Sequence, residues 1–197
     1  CPAGFYCPAA SVTFNETLCL EGHYCPEGTP SGAAFPCPNG SYTNATGLRS
    51  ESECTPCDAG HYCDGVANTA PDGVCAAGYY CAGGAASATP TDGTTGDVCV
   101  AGTSCAAGSA LPVPCVGGKY CTSNSATPAG ECSGGYYCTQ GSSTPTPTGQ
   151  SNTFGVVGDV CPVGHYCGNG TISPVACAAG TFSNSTGSRD DLACISC

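Results

Sequence analysis

The chain has 197 residues, 21 of them cysteine, and a formal net charge of -11 with only three lysine and arginine side chains in total. This balance excludes a basic surface that could follow a nucleic-acid backbone or an anionic membrane, so neither nucleic acid nor a membrane is expected as a partner of this segment. Leu, Ile, Val and Phe make up about 12 per cent of the residues, below the roughly 20 per cent under which a charged chain is expected to be disordered, and this excludes an apolar core of ordinary size.

Cysteine is the residue type that can order such a chain. Its share of about 11 per cent exceeds the roughly 8 to 10 per cent that is typical of disulfide scaffolds. Bridges at this density persist only in an oxidising compartment, so we expect an extracellular or cell-surface location. Because secretion requires a leader and the sequence shows none, it also predicts a fragment of a longer chain or a processed chain.

The motif C-x-x-G-x-aromatic recurs through the chain in ten copies, with Ser104 replacing the ring in one of them. Cys197 follows Cys177 by twenty residues, just as Cys57 follows Cys37. It is therefore interpreted as the first residue of an eleventh copy, whose partner is expected beyond residue 197, and this explains the odd cysteine count without a free thiol. The ten copies begin at Cys1, Cys19, Cys37, Cys57, Cys75, Cys99, Cys115, Cys132, Cys161 and Cys177.

Two kinds of repeat occur along the chain. Eight copies contain a second cysteine after five residues, whereas the copies at 37 and 177 follow the pattern C-x16-C-x2-C. Serine and acidic residues in these two long loops favour one capped helical turn in each. Elsewhere Gly, Pro and Cys interrupt the sequence too often for a helix. The predicted fold is a set of small disulfide-rich repeats, an elongated array of short β-strands and turns with almost no helix.

The repeats divide by type into three segments. Residues 1–56 end with the first long-loop repeat, residues 57–131 contain an insert at 82–98, and residues 132–197 contain an insert at 139–160 and the second long-loop repeat. The inserts are the two places where the repeat spacing could fail.

Each part of the motif has a predicted structural role. Residues six apart in an extended segment point to the same side, so both cysteines could lie on the same face of the strand. The glycine allows a positive φ, or allows a neighbouring backbone to approach where a Cβ would collide. The aromatic ring can cover the adjacent disulfide and the next repeat. Because one repeat alone buries little, the repeats are expected to stack on their neighbours.

The pattern C-P-x-G-x-Y-C, together with the loop that ends in C-x2-C, resembles the ephrin-receptor-like cysteine-rich repeats of extracellular proteins over essentially the whole chain. The long-loop repeat is also similar to the first half of a tumour-necrosis-factor-receptor repeat. That similarity implies two bridges, Cys37 with Cys54 and Cys177 with Cys194. For the other cysteines a crossed pattern is expected, and its main rival joins the second cysteine of one copy to the first of the next. The crossed pattern pairs Cys1 with Cys19, Cys7 with Cys25, Cys57 with Cys75, Cys63 with Cys81, Cys99 with Cys115, Cys105 with Cys121, Cys132 with Cys161 and Cys138 with Cys167.

Glycans are the expected modification of a chain that passes through the secretory pathway. Two Ser/Thr/Pro-rich stretches, ASATPTDGTTG and GSSTPTPTGQSNT, are suited to O-linked sugars. N-linked sugars are predicted at the sequons Asn15, Asn39, Asn44, Asn169 and Asn184.

Catalytic and metal chemistry are not predicted. His23, His61 and His165 share one slot of the motif, but other copies hold unrelated residues there, and oxidised cysteines cannot serve as thiolate ligands. The scattered aspartates are interpreted as turn formers. A thin bridged array offers no rigid pocket for a nucleophile and its base, so we expect no enzyme activity, no cofactor and no metal.

Two functions fit these features. The favoured one is a structural extracellular glycoprotein whose repeats stack, on themselves or on neighbouring copies, into a fibre, an appendage or a cell-surface coat. The alternative is a cysteine-rich receptor or adhesion ectodomain that binds a protein ligand. Repetition favours the first, because it spreads similar surfaces along the chain, whereas recognition concentrates a few distinctive anchors.

Overall fold

The computed structural model describes residues 1–13, 17–152 and 155–197. Within them the chain consists of short antiparallel strand pairs, turns and two 3-10 helices. This confirms the predicted fold class of small disulfide-rich repeats with almost no helix. The sequon at Asn15 lies outside the described residues, as do residues 153 and 154 of the insert 139–160.

The strand pairing is the same in every repeat. Residues five and six of the motif pair with the residues that immediately precede the next motif. In the first two repeats this pairing is a single bridge, from Phe5 to Leu18 and from His23 to Pro36. The other eight pairs are β1 (Ser41–Tyr42) with β2 (Thr55–Pro56), β3 (His61–Tyr62) with β4 (Gly73–Val74), β5 (Tyr79–Cys81) with β6 (Gly96–Val98), β7 (Thr103–Ser104) with β8 (Val113–Pro114), β9 (Lys119–Tyr120) with β10 (Gly130–Glu131), β11 (Tyr136–Cys138) with β14 (Gly158–Val160), β15 (His165–Tyr166) with β16 (Val175–Ala176), and β17 (Thr181–Phe182) with β18 (Ile195–Ser196).

A tight turn opens each motif, and it determines how the disulfides pair. In the repeat at 57, the His61 N–H donates to the Asp58 carbonyl at 2.9 Å and Gly60 has a φ of +81°, which is the geometry of a turn with a left-handed third residue. The chain therefore folds back, and the Cα atoms of Cys57 and Cys63 are 5.8 Å apart, whereas an extended segment would separate them by about 20 Å.

All eight C-x5-C motifs close on themselves. The expected crossed pattern is wrong, and so is its rival, because the turn brings the two cysteines of each motif within bonding distance of each other. The observed bridges are Cys1–Cys7, Cys19–Cys25, Cys57–Cys63, Cys75–Cys81, Cys99–Cys105, Cys115–Cys121, Cys132–Cys138 and Cys161–Cys167.

The two long-loop repeats follow the prediction. Cys37 bonds Cys54 and Cys177 bonds Cys194, the pairs that the family resemblance implies. Each loop contains the expected helical turn, a 3-10 helix at Glu51–Glu53 and another at Asp191–Ala193. The second helix is capped by Asp190, whose carboxylate accepts the Leu192 N–H at 3.2 Å. In the first, the side chain of Ser50 at the equivalent position makes no capping bond.

Cysteine side chains make up most of the hydrophobic core. In the part of the chain that the structure describes, the buried hydrophobic residues are cysteines, apart from Leu48, Ala85 and Val157. The chain forms two compact units, residues 1–98 with 107–111 and residues 99–106 with 112–197. The three-segment division by repeat type stays a prediction.

Candidate functional site: the interface between repeats

The repeats, numbered 1 to 10 from their first cysteines, contact one another through four backbone hydrogen bonds. Between repeats 1 and 2, Gly4 accepts from the Cys19 N–H at 3.0 Å and donates to the Cys25 carbonyl at 2.8 Å. The Cys7 N–H donates to Thr29 and the Gly28 N–H donates to Cys1, both at 2.9 Å. The same four bonds recur between repeats 2 and 3, 3 and 4, and 4 and 5 in one unit, and between 6 and 7, 7 and 8, 8 and 9, and 9 and 10 in the other.

The motif glycine is required by its conformation and by its neighbours. It has a positive φ in all ten repeats. A Cβ on Gly60 would lie 2.5 Å from the carbonyl oxygen of Gly108, and one on Gly135 would lie 2.6 Å from that of Gly187. In both cases the obstructing carbonyl belongs to the repeat two further along. Both predicted reasons for the glycine, its positive φ and the close approach of a neighbouring backbone, are therefore confirmed. Repeats 4 and 8 each contact the repeat two further along as well as the next one.

A second left-handed position was missed by the sequence analysis. It lies three or four residues after the second motif cysteine, or after Thr43 and Ser183, which take the place of that cysteine in the long-loop repeats. Its N–H donates to the first cysteine of the preceding repeat in the interfaces described above. The sequence did contain a signal for this position, because a glycine recurs three residues after the second motif cysteine, as in CPEG, CAGG, CTQG and CGNG. The position is occupied by Ala10, Gly28, Gly47, Ala67, Gly84, Gly108, Asn124, Gly141, Gly170 and Gly187.

Aromatic rings cover the disulfide of the following repeat. Tyr24 packs against Leu48 and the Cys37–Cys54 bridge of repeat 3, and its ring centroid lies 5.7 Å from that of Phe35. Tyr62 of repeat 4 packs in the same way against the bridge of repeat 5 and Ala85. These contacts confirm the predicted role of the ring in these two repeats, where it supplies apolar burial that the small core lacks.

Two tyrosines also reach acidic groups of the next repeat. The Tyr42 hydroxyl donates to Asp58 at 3.3 Å and the Tyr24 hydroxyl donates to Glu51 at 3.4 Å. Desolvation, and then the negative charge and hydrogen bond of Asp58, raise the pKa of Tyr42 above its ordinary value.

The insert 82–98 contains a turn that is held by hydrogen bonds to one carboxylate. In the insert 82–98, the Asp92 carboxylate accepts the N–H groups of Thr94 and Thr95 at 2.8 and 2.7 Å and the Thr95 hydroxyl at 2.7 Å. The Thr95 hydroxyl and these backbone donors lower the pKa of Asp92 to about 2.

The insert 139–160 forms an extra hairpin of β12 (Ser151–Asn152) with β13 (Gly155–Val156). Repeats 8 and 9 nevertheless keep all four interface bonds. The repeat spacing, which was expected to be at risk here, is therefore preserved across this insert.

The described sequons lie on the surface. The side chains of Asn39, Asn44, Asn169 and Asn184 are all exposed. Asn169 also accepts the Gly134 N–H of the preceding repeat at 2.7 Å.

The histidines do not converge on a site. In each, Nδ1 lies near the carbonyl oxygen two residues earlier, at 2.9 Å for His23, 3.4 Å for His61 and 3.0 Å for His165. Across residues 1–13, 17–152 and 155–197, no three His, Cys, Asp or Glu side chains are grouped so that they could hold a metal ion. The same residues contain no helix long and apolar enough to cross a membrane.

The fold and these interfaces define a small disulfide-rich repeat protein. No protein-family model matches the chain, and no curated protein shows significant similarity to it in sequence.

Proposed function

We propose that this chain is a structural extracellular glycoprotein whose disulfide-closed repeats stack into a fibre, an appendage or a cell-surface coat. The main support is that one backbone interface recurs between successive repeats with the same four hydrogen bonds. Such an interface uses groups that every repeat carries, so stacking does not depend on a particular side chain at each junction. Repeat arrays of this kind are stabilised by the sum of their nearest-neighbour contacts.

The disulfides support an extracellular location. Twenty of the 21 cysteines are bridged within the chain, and reducing compartments do not maintain such bonds. The exposed sequons fit N-glycosylation on the same route. The resemblance to ephrin-receptor-like repeats, a class of extracellular modules, points the same way.

We also propose that the chain is not an enzyme and needs no cofactor. The recurrent residues of the motif have structural tasks: cysteines form bridges, glycines form turns, and the rings of Tyr24 and Tyr62 cover the bridge of the next repeat. A depression of about 300 Å³ near Tyr166 and Cys194 is lined mainly by small side chains.

The alternative function, a receptor or adhesion ectodomain, is favoured by one observation. The hairpin of the insert 139–160 departs from the uniform surface of the repeats, and distinctive surfaces are where ligands are usually held.

Negative-stain microscopy of the native material separates the two functions. Long filaments or a regular coat are expected, and they should persist when the hairpin is replaced by a short Gly-Ser loop. Dispersed short particles that capture a soluble protein, and lose it when the hairpin is replaced, would contradict the structural proposal.

A further inference from the structure

The inserts 82–98 and 139–160 differ in length and sequence, but each holds a Thr-Pro-Thr segment, 89–91 or 146–148, in the same backbone arrangement. In both, the carbonyl two residues before the proline accepts the N–H of the residue that follows the first motif cysteine. A glycine two or three residues after the proline then donates to the glycine that begins β6 or β14, at 3.0 Å in both inserts. The first bonds are Ala76 to Ala88 at 2.8 Å and Ser133 to Pro145 at 2.9 Å, and the second are Gly93 to Gly96 and Gly149 to Gly158.

The proline at the centre of each segment anchors it. Pro147 is fully buried, and Pro90 is buried as well. A Cβ on Gly96 would lie 2.5 Å from Cγ of Pro90, and a Cβ on Gly158 would lie 2.8 Å from Cγ of Pro147. Each ring therefore packs directly on the strand that returns to the repeat, and it also fixes the φ of its own residue. The segment is held at the proline and by the hydrogen bonds on both sides of it.

The threonines on both sides of each buried proline are exposed. The hydroxyls of Thr91, Thr146 and Thr148 make no hydrogen bond to any residue that the structure describes. The Thr89 hydroxyl has a long contact, at 3.5 Å from the Ser87 hydroxyl. Two fixed segments therefore present four hydroxyl oxygens to the solvent.

Other hydroxyls in the same two Ser/Thr/Pro-rich stretches are already engaged. The Thr95 hydroxyl donates to the Asp92 carboxylate at 2.7 Å. Ser142 is completely buried, and its hydroxyl donates to the Thr144 carbonyl at 3.0 Å. Composition treats these residues like the four threonines beside the prolines, whereas the structure separates them by exposure and by hydrogen bonding.

We propose that a transferase adds O-linked sugars, from a nucleoside diphosphate sugar, to four threonines of the folded chain: Thr89, Thr91, Thr146 and Thr148. Each threonine Oγ1 attacks the anomeric carbon of the donor and forms the glycosidic C–O bond. The bond from that carbon to the diphosphate breaks, the hydroxyl proton passes to a base of the transferase, and the nucleoside diphosphate leaves. Because the segments are already fixed, a transferase loses less conformational entropy in binding them than in binding a free loop. This inference rests on the proposed function, in which the chain is a glycoprotein, and it names the residues that carry the sugars.

Sugars at these positions leave the repeat interface free. None of the four threonines donates or accepts in the backbone bonds that join successive repeats. Exposed loop segments are also preferred sites of proteolytic cleavage, and the inserts are where the chain departs from the compact repeat. The sugars therefore cover these segments without blocking stacking.

Mass spectrometry of glycopeptides from the native protein tests the proposal, with electron-transfer fragmentation that preserves O-glycosidic bonds. N-linked sugars are first removed with a peptide N-glycosidase. The four threonines should carry sugar masses, and Thr95 and Ser142 should carry none. Bare threonines, phosphate in place of sugar, or equal occupancy of Thr95 and Ser142 would overturn the proposal. Filaments with bare threonines would overturn this inference alone, whereas sugars on dispersed, ligand-binding particles would contradict only the proposed structural function.

Two proline variants, made in the cells that produce the native protein, test the role of the anchor. Thr146 lies between Pro145, whose ring is half-buried, and the fully buried Pro147. Pro147→Ala removes two buried ring carbons and should weaken the anchor roughly tenfold, so the occupancy of Thr146 and Thr148 should fall. Pro145→Ala is the matched control, because it also removes a proline next to Thr146 but keeps the carbonyl that accepts the Ser133 N–H, and occupancy should be unchanged.

Mapping of non-reduced peptides confirms that both proline variants keep their disulfides. An equal fall of occupancy in the two variants would show that the transferase reads the local sequence and not the anchored segment. That result, or an unchanged occupancy in Pro147→Ala, would overturn the addition of sugars to the folded segment.

Discussion

Two alanine substitutions, one at a motif glycine inside the repeat interface and one at a glycine outside it, separate the free energy of stacking from the strain of a left-handed alanine. Gly60 has a φ of +81°, and a Cβ there would lie 2.5 Å from the Gly108 carbonyl oxygen. Gly60 also donates to Cys81 at 2.8 Å and accepts from Cys75 at 2.9 Å. Gly60→Ala therefore strains the backbone and pushes residue 60 away from the Gly108 carbonyl, which lengthens its own hydrogen bonds to Cys81 and Cys75 of repeat 5.

The magnitude follows from these contacts. A left-handed alanine costs about 1 to 2 kcal/mol, and lengthening the two hydrogen bonds costs about 1 kcal/mol each. We expect Gly60→Ala to lower the free energy of unfolding by about 3 to 4 kcal/mol. In the same repeat, Gly65→Ala brings only the strain, because Gly65 has a similar φ and nothing within 4 Å of a built Cβ, and should cost about 1 to 2 kcal/mol.

Guanidinium unfolding of the oxidised chain measures both variants, and native-state hydrogen exchange localises the effect. The Cys75 and Gly60 amides should lose protection in Gly60→Ala and keep it in Gly65→Ala. Equal losses of stability in the two variants, with unchanged exchange at Cys75, would refute the argument that motif glycines are required by stacking.

Three further outcomes are expected. Mass spectrometry of non-reduced peptides should recover each C-x5-C motif as a self-closed peptide, and bridges between motifs would contradict the fold. Because the pKa of Asp92 is lowered to about 2, its contribution to stability is complete above the unfolded pKa of about 4 and is lost as the pH falls through about 2. NMR titration of the Thr94 and Thr95 amides should report this step, and a midpoint near 4 would show that the carboxylate bonds do not form. Asp58→Asn should lower the pKa of Tyr42, as followed by NMR of its ring carbons; an unchanged pKa would show that the hydrogen bond from Tyr42 to Asp58 does not form.

Local chemistry in the sequence predicts much of each repeat. The motif glycine predicts a position of positive φ, and serine and acidic residues predict the helical turns at Glu51–Glu53 and Asp191–Ala193. The scarcity of Leu, Ile, Val and Phe predicts a core made of sulfur. These features depend on a few neighbouring residues, so a single sequence contains the information that determines them.

The connectivity of the eight C-x5-C motifs and the geometry of stacking were decided only by the tertiary structure. Two cysteines six residues apart suit an extended strand as well as a folded turn, and the error in pairing came from choosing the strand. The left-handed residue after the motif and the approach of Gly60 to Gly108 join residues far apart in sequence. Their recurrence depends on how far each repeat is rotated and shifted relative to the previous one, which is a property of backbone packing that no short segment of sequence specifies.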